Sequence, residues 1–141
     1  MQDKLFDIVT FEDEGYMPLI DFNCWRVAFL RFIDELLPEN IIHAEKHLET
    51  DEVFVLLAGR ALLIIGTGED SIDELTYYEM EPCKLYNVKQ STWHNVVLST
   101  DATILLVENR NTTSENTAYC KLNEGQRAFI QKMTQDKMLF N

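Results

Sequence analysis

Apolar residues in this chain come in short runs, and a turn signal interrupts them about every ten residues along most of its length. Runs of that size between turn residues predict the strands of an all-β sandwich or barrel. CWRVAFLRFI (residues 24–33) is rich in aromatic and branched side chains, as strands are. ELLPEN (35–40) reads as a turn around Pro38. IIHAEKHL (41–48) has the composition of a helix. As a strand it sets Ile41, His43, Glu45 and His47 on one face, because strand side chains alternate. EVFVLLAGRALLIIG (52–66) predicts a tight hairpin, with Gly59 supplying the left-handed residue of the turn. Both arms are apolar on both faces, so the hairpin should be buried on both sides. Residues 66–71 are a loop, and 75–80 and 84–88 are further strands. Residues 93–98 and 102–108 predict a second hairpin turning at Ser99, Thr100 and Asp101. Residues 109–116 are a polar loop. Phe129, Ile130, Met133 and Leu139 recur at helical spacing, and Asn123 with Gln126 three residues on forms a capping box, so one helix is expected over about 124–140.

The length, 141 residues, suits a single domain over 1–141. A chain of this size buries roughly 68% of its unfolded surface and needs neither disulfide nor metal merely to fold. The net charge of −12 repels phosphate backbones and anionic lipid, so neither nucleic acid nor a membrane is an expected partner. Cys24, Cys83 and Cys120 are odd in number and widely spaced, which fits reduced, inert thiols and a cytoplasmic location. The opening MQDKLFDIVT carries Asp3 and Asp7 and reads as neither signal nor transit peptide. No apolar run is long enough to span a bilayer. There is no G-x-S-x-G, P-loop or dinucleotide fingerprint.

Candidate chemistry is concentrated in residues 43–59, HAEKHLETDEVFVLLAG. His47, Glu52 and Gly59 match the second half of the first motif of the cupin superfamily, G-x5-H-x-H-x3,4-E-x6-G. His94 matches the histidine of its second motif, G-x5-P-x-G-x2-H-x3-N. The chain therefore resembles a small cupin over about 41–108. It departs from the pattern at Glu45, which stands where the first histidine of the pair is usual, with His43 two residues earlier. It departs again at Lys89, Ser91 and Leu98, where Pro, Gly and Asn are usual. The resemblance implies a single-domain jelly-roll barrel holding one divalent ion, Zn, Fe, Mn or Ni, on Glu45, His47, Glu52 and His94. His43 is the replacement should Glu45 point elsewhere. Imidazole and carboxylate donors suit such ions, and buried carboxylates need a compensating cation. Glu45 is also the candidate general base. Phe54, Tyr86, Trp93 and Arg26 are candidates to line a small-molecule pocket, Arg26 as a clamp for an anion. The resemblance further implies action on a small polar metabolite such as a sugar or organic acid, by isomerisation, epimerisation, lyase chemistry or oxygenation. The alternative is binding or sensing without turnover. The outward set Val53, Val55 and Leu57 needs a cover, from an N-terminal strand, the C-terminal helix or a second copy, which makes a homodimer the expected assembly.

Overall fold

A computed structural model describes residues 5–140 of the chain. The expectation about a leader rests partly on residues 1–4, which lie outside the described residues. Among the described residues ten strands and one α-helix form: β1 Gly15–Phe22, β2 Trp25–Arg31, β3 His43–His47, β4 Glu52–Ala58, β5 Ala61–Gly66, β6 Leu75–Glu79, β7 Tyr86–Val88, β8 Trp93–Leu98, β9 Thr103–Asn109, β10 Thr117–Lys121 and α1 Glu124–Asp136. The strands make two five-stranded sheets, ordered β1-β2-β9-β4-β7 and β10-β3-β8-β5-β6. Every pairing is antiparallel.

The two sheets enclose one apolar layer built from Ala28, Phe54, Leu56, Leu63, Val96, Leu98, Ile104 and Leu106. A second layer lies outside the second sheet, where Ile130 and Met133 of α1 cover Ala44, Leu62, Ile64, Trp93 and Val97. The apolar-on-both-faces pattern of β5 and β8 follows from this, since each side of those strands meets a different layer. The helix begins at its expected cap. Asn123 Oδ1 accepts from the Gln126 N–H (2.8 Å), and Gln126 Oε1 accepts from the Asn123 N–H (3.0 Å). It stops at Asp136, short of 140, and Met138 follows with φ +52°.

Neither expected hairpin is a hairpin. β4 pairs with β7 and β9, while β5 pairs with β6 and β8, so the Gly59 turn carries the chain from one sheet to the other. The turn after β8 does the same in reverse. The two corners are tied together. The Arg60 N–H donates to Ser99 Oγ (2.8 Å), and the Ser99 N–H donates to Arg60 O (2.9 Å). A Cβ on Gly59 (φ +72°) would stand 2.6 Å from Ala102 Cα, so both the conformation and the contact exclude a side chain there. A corner and a hairpin need the same turn residues, which is why local sequence does not separate them.

The sequence pattern assigns no strand to residues 15–22 or 117–121, yet β1 and β10 form there. Both are edge strands. Pro18 and a register shift between Pro18 and Ile20 interrupt β1, a pattern tolerated at an edge, where half the backbone groups face solvent. On the outward face of the first sheet, Val27, Val107 and Val53 stand side by side, as do Phe29, Leu105 and Val55. These six are only half-buried, and Leu57 is 49% exposed. The helix is not their cover, because it packs on the other sheet.

Candidate metal centre

Four strands deliver the site. Alternation along β3 sends Glu45 and His47 to one face. β3 meets β8 at the pair Glu45–His94, which brings His94 alongside. A four-residue loop then returns the chain to β4, whose first residue is Glu52. That loop is held by Asp51, which accepts from the Gln90 N–H (2.7 Å) and from Asn87 Nδ2 (3.1 Å). Its neighbour Thr50 Oγ1 accepts from the Asn109 N–H (3.0 Å). His47, Glu52 and His94 are all buried.

Both imidazoles aim Nε2 at one point. His47 Nε2 and His94 Nε2 each lie 3.2 Å from Glu52 Oε1. Glu45 Oε1 is 3.8 Å from the first nitrogen and 4.0 Å from the second. Two ligand atoms each roughly 2.1 Å from an ion are roughly 3.0 Å apart at a right angle and roughly 4.2 Å apart when opposite. The separations observed here fall between those limits.

The hydrogen bonds on the far sides of the rings fix their tautomers. His94 Nδ1 is 2.9 Å from the carbonyl of Thr92, which only accepts, so this nitrogen carries a hydrogen. His47 Nδ1 is 2.9 Å from Thr117 Oγ1. Thr117 spends its own hydrogen on the Thr113 carbonyl (2.8 Å), so His47 Nδ1 must donate as well. In the neutral rings Nε2 is then a bare lone pair facing a carboxylate oxygen. Each Nε2 needs either a second proton or a cation, and this arrangement is the one that orients histidines toward a metal.

A further carboxylate, which the motif did not indicate, joins the group. Glu108, buried on β9, places Oε2 4.0 Å from His47 Nε2. His47, Glu52 and Glu108 are close enough to share an ion, as are Glu45, His47 and His94. Tyr16 on β1 donates its hydroxyl to Glu108 Oε1 (2.8 Å). Burial, then the neighbouring Glu52 charge, raises the Glu108 carboxyl from 4.5 to about 7, against the Tyr16 hydrogen bond. Burial also pushes on Glu52, but the hydrogen bonds and charges of His47 and His94 win and hold it well below the usual carboxylate range. Burial works against the charged form of His47, and the Glu52 contact outweighs it, so that imidazole is raised.

Around these groups is a cavity of about 360 Å³. Leu30, Phe54, Val96 and Leu106 form its apolar walls, and Phe54 sits edge-on to His94 with ring centres 5.9 Å apart. Phe54 thus lines the cavity. The other expected lining residues are elsewhere. Trp93 precedes His94, so the alternation that sends His94 inward sends Trp93 outward beneath α1, where its Nε1 donates to Glu69 O (3.2 Å). Tyr86, opposite Phe54 on β7, lies one strand further out and lines a different depression with Leu63 and Tyr78. Arg26 stands opposite Glu108, on the inward face as expected, but its guanidinium is bound to Asp21 (2.8 and 3.2 Å) and does not line the cavity. His43 shares the face of Glu45 but is exposed and packs on Tyr119, 5.4 Å between ring centres, so it does not join the donors. Cys24 and Cys83 are exposed free thiols.

No family model matches this sequence, and no curated protein matches it. Solved structures do. CapF, a capsular polysaccharide assembling protein from Staphylococcus aureus, aligns at a TM-score of 0.58 with 15% identity, over 82% of this chain and 34% of that one. The chain thus spans about a third of CapF. QdtA, a sugar 3,4-ketoisomerase from Thermoanaerobacterium thermosaccharolyticum crystallised with TDP, aligns at 0.54 with 16% identity, over 84% of this chain and 78% of that one. Streptomyces PAC13, crystallised with uridine, aligns at 0.55 with 8% identity, over 79% and 83%. At such identities the likeness is one of fold. The chain has the cupin fold, mostly β, with two antiparallel sheets and one C-terminal helix.

Proposed function

We propose that this protein holds one divalent ion on His47, His94 and Glu52, with Glu45 and Glu108 completing the donors, and that a small polar metabolite docks beside it. The observation that carries the reading is the pair of fixed tautomers: two Nε2 lone pairs and a carboxylate converge, and each lone pair lacks a donor. A bound ion would act as Lewis acid and template for substrate oxygens. The chain's own residues would supply the rest. Glu45, at the partly exposed rim of the cavity, is placed to take a proton as general base. Tyr16 and Glu108 form a hydrogen-bonded pair that can relay one. Base and relay beside a Lewis acid suit isomerisation or epimerisation of a hydroxy-carbonyl compound such as a sugar, and the fold neighbour that is a sugar ketoisomerase supports that class. Among the described residues no helix is long and apolar enough to cross a membrane. Three free thiols suit a reducing cytoplasm.

The test is metal content by mass spectrometry on protein purified without an affinity tag. We expect about one ion per chain in the wild type and near none in His47→Ala and His94→Ala. A wild type devoid of metal after reconstitution with Zn, Mn, Fe and Ni in turn would overturn the assignment. Nitrogen-15 spectra of the imidazoles read the tautomers independently of any activity.

The half-buried outward face of the first sheet supports homodimerisation through that face. Sedimentation should show a dimer, and Val55→Lys at its centre should show a monomer; a monomeric wild type at high micromolar concentration would discard it.

A further inference from the structure

We infer that the ligand of this cavity is an uncharged polyhydroxy molecule of monosaccharide size, and that anionic ligands, phosphorylated ones included, are refused. The inference rests on the cavity assigned above and adds the charge and chemistry of what enters it. Three carboxylates, Glu45, Glu52 and Glu108, face the space, and no lysine or arginine among the described residues lines it. The arginines on neighbouring strands are committed elsewhere. Arg26 and Arg110 pair with Asp21, at 2.8 and 3.6 Å, and Arg26 bears on the cavity through the Tyr16 hydroxyl without lining it. Arg31 donates to Thr103 Oγ1 (2.7 Å) and to Asp13 O (3.1 Å). A divalent ion does not reverse the sign. It leaves one net negative charge with all three carboxylates ionised, and none with Glu108 protonated. Among the described residues the wall offers an entering anion no guanidinium or ammonium group, and the anion must be desolvated beside fixed negative charge. A chain of net charge −12 repels it on approach as well.

The hydrogen-bonding inventory points to hydroxyls. Carboxylates only accept, so a ligand matching them must bring donors. The remaining polar wall is Asn95 and hydroxyl groups, those of Tyr16, Thr112, Thr113 and Tyr119 among them; the hydrogens of Tyr16 and Thr112 are spent on Glu108 and on the Asn109 carbonyl, so these two offer a ligand their lone pairs. Facing these is the apolar side of Leu30, Phe54, Val96 and Leu106, which suits the C–H face of a ring. The volume, about 360 Å³, is at the small end of ligand sites, enough for one such ring and short of a nucleotide with its sugar attached.

The experiment uses matched pairs on the full chain: glucose with glucose 6-phosphate and gluconate, ribose with ribose 5-phosphate, and a nucleoside diphosphate as the anionic extreme. Calorimetric titration, supported by sugar-proton relaxation next to Mn(II), should show at least one neutral sugar binding and its anionic partner at least tenfold weaker. Glu108→Gln should narrow that gap by raising the affinity for the anionic partner. An anionic member that binds as tightly as its neutral partner, or a cavity that takes none of the neutral sugars, overturns the inference. Metal analysis on the same sample keeps the two readings apart. An absent ion fails the metal assignment, whereas the charge preference is read on the metal-free protein too.

Discussion

Glu108→Gln should make the metal-free protein more stable at pH 8 and the metal-loaded protein less so. The wild-type carboxyl is buried beside Glu52 and raised from 4.5 to about 7, so the folded state binds this proton more tightly than the unfolded chain does. For an acid with a raised folded value, stability is lost as pH climbs from the unfolded value through the folded one. A tenfold difference in proton affinity between the two states is worth about 1.4 kcal/mol. The loss is therefore near zero at pH 4 and close to its ceiling, about 3 kcal/mol, at pH 8. Glutamine keeps the shape and still accepts from Tyr16, but cannot ionise, so it recovers up to that amount. In a chain of this length about 3 kcal/mol is about 10 °C of melting temperature. Adding the divalent ion narrows the gap. An ion present at about 100 times its dissociation constant stabilises the wild type by about 2.7 kcal/mol, and the variant, one carboxylate short, gains less. The assay is thermal or urea unfolding of both proteins at pH 5 and pH 8, with chelator and with saturating metal. A variant no more stable than wild type at pH 8 in chelator would refute the repulsion between the two glutamates. An unchanged stabilisation by metal would refute the place of Glu108 among the donors.

Metal affinity should fall as pH drops from 8 to 5.5, because protons compete for Nε2 and the raised His47 begins to take one above the ordinary 6.5; the limit is about tenfold per pH unit for each proton displaced, and a titration flat in pH would contradict histidine ligation. Gly59→Ala should destabilise by at least about 2 kcal/mol in urea melts, since alanine is strained at φ +72° and its methyl would meet the backbone of Ala102. Asn123→Ala, which removes the cap of α1 on the side away from the cavity, should cost about 1 kcal/mol and leave metal stoichiometry unchanged.

The elements were largely legible from the pattern of apolar runs, and the connections between them were not. β4, β5, β8 and β9 lie close to the expected bounds because each is a short apolar run closed by turn residues. Which strand pairs with which is decided by contacts between distant parts of the chain. Gly59 illustrates the difference. Its left-handed backbone serves a corner as well as a hairpin, and only the approach of Ala102 shows which one it makes. β1 is mostly exposed and interrupted at Pro18, so little apolar alternation marks it, and β10 is a short strand directly after a polar loop.

The same division holds at the site. Alternation on β3 placed Glu45 and His47 together from spacing alone, and the motif supplied Glu52 and His94. Alternation also carried the clue to Glu108, since Ile104, Leu106 and Glu108 fall on one face of β9 and the first two are buried. A carboxylate in phase with a buried apolar row is either exposed by the strand's end or held inside by a compensating partner. The pairing of β9 between β2 and β4 settles this, because it keeps Glu108 covered and brings it to His47. Arg26 is the converse case. It too is in phase with an inward row, and it stands opposite Glu108, but Asp21 on the adjoining strand holds its guanidinium, which bears on the cavity through the Tyr16 hydroxyl and not as part of the wall. The face of a strand residue is written in its own spacing, whereas its chemical role depends on which neighbour reaches it first. In this protein that difference leaves the cavity with three carboxylates and no arginine, and so fixes the sign of what it can admit.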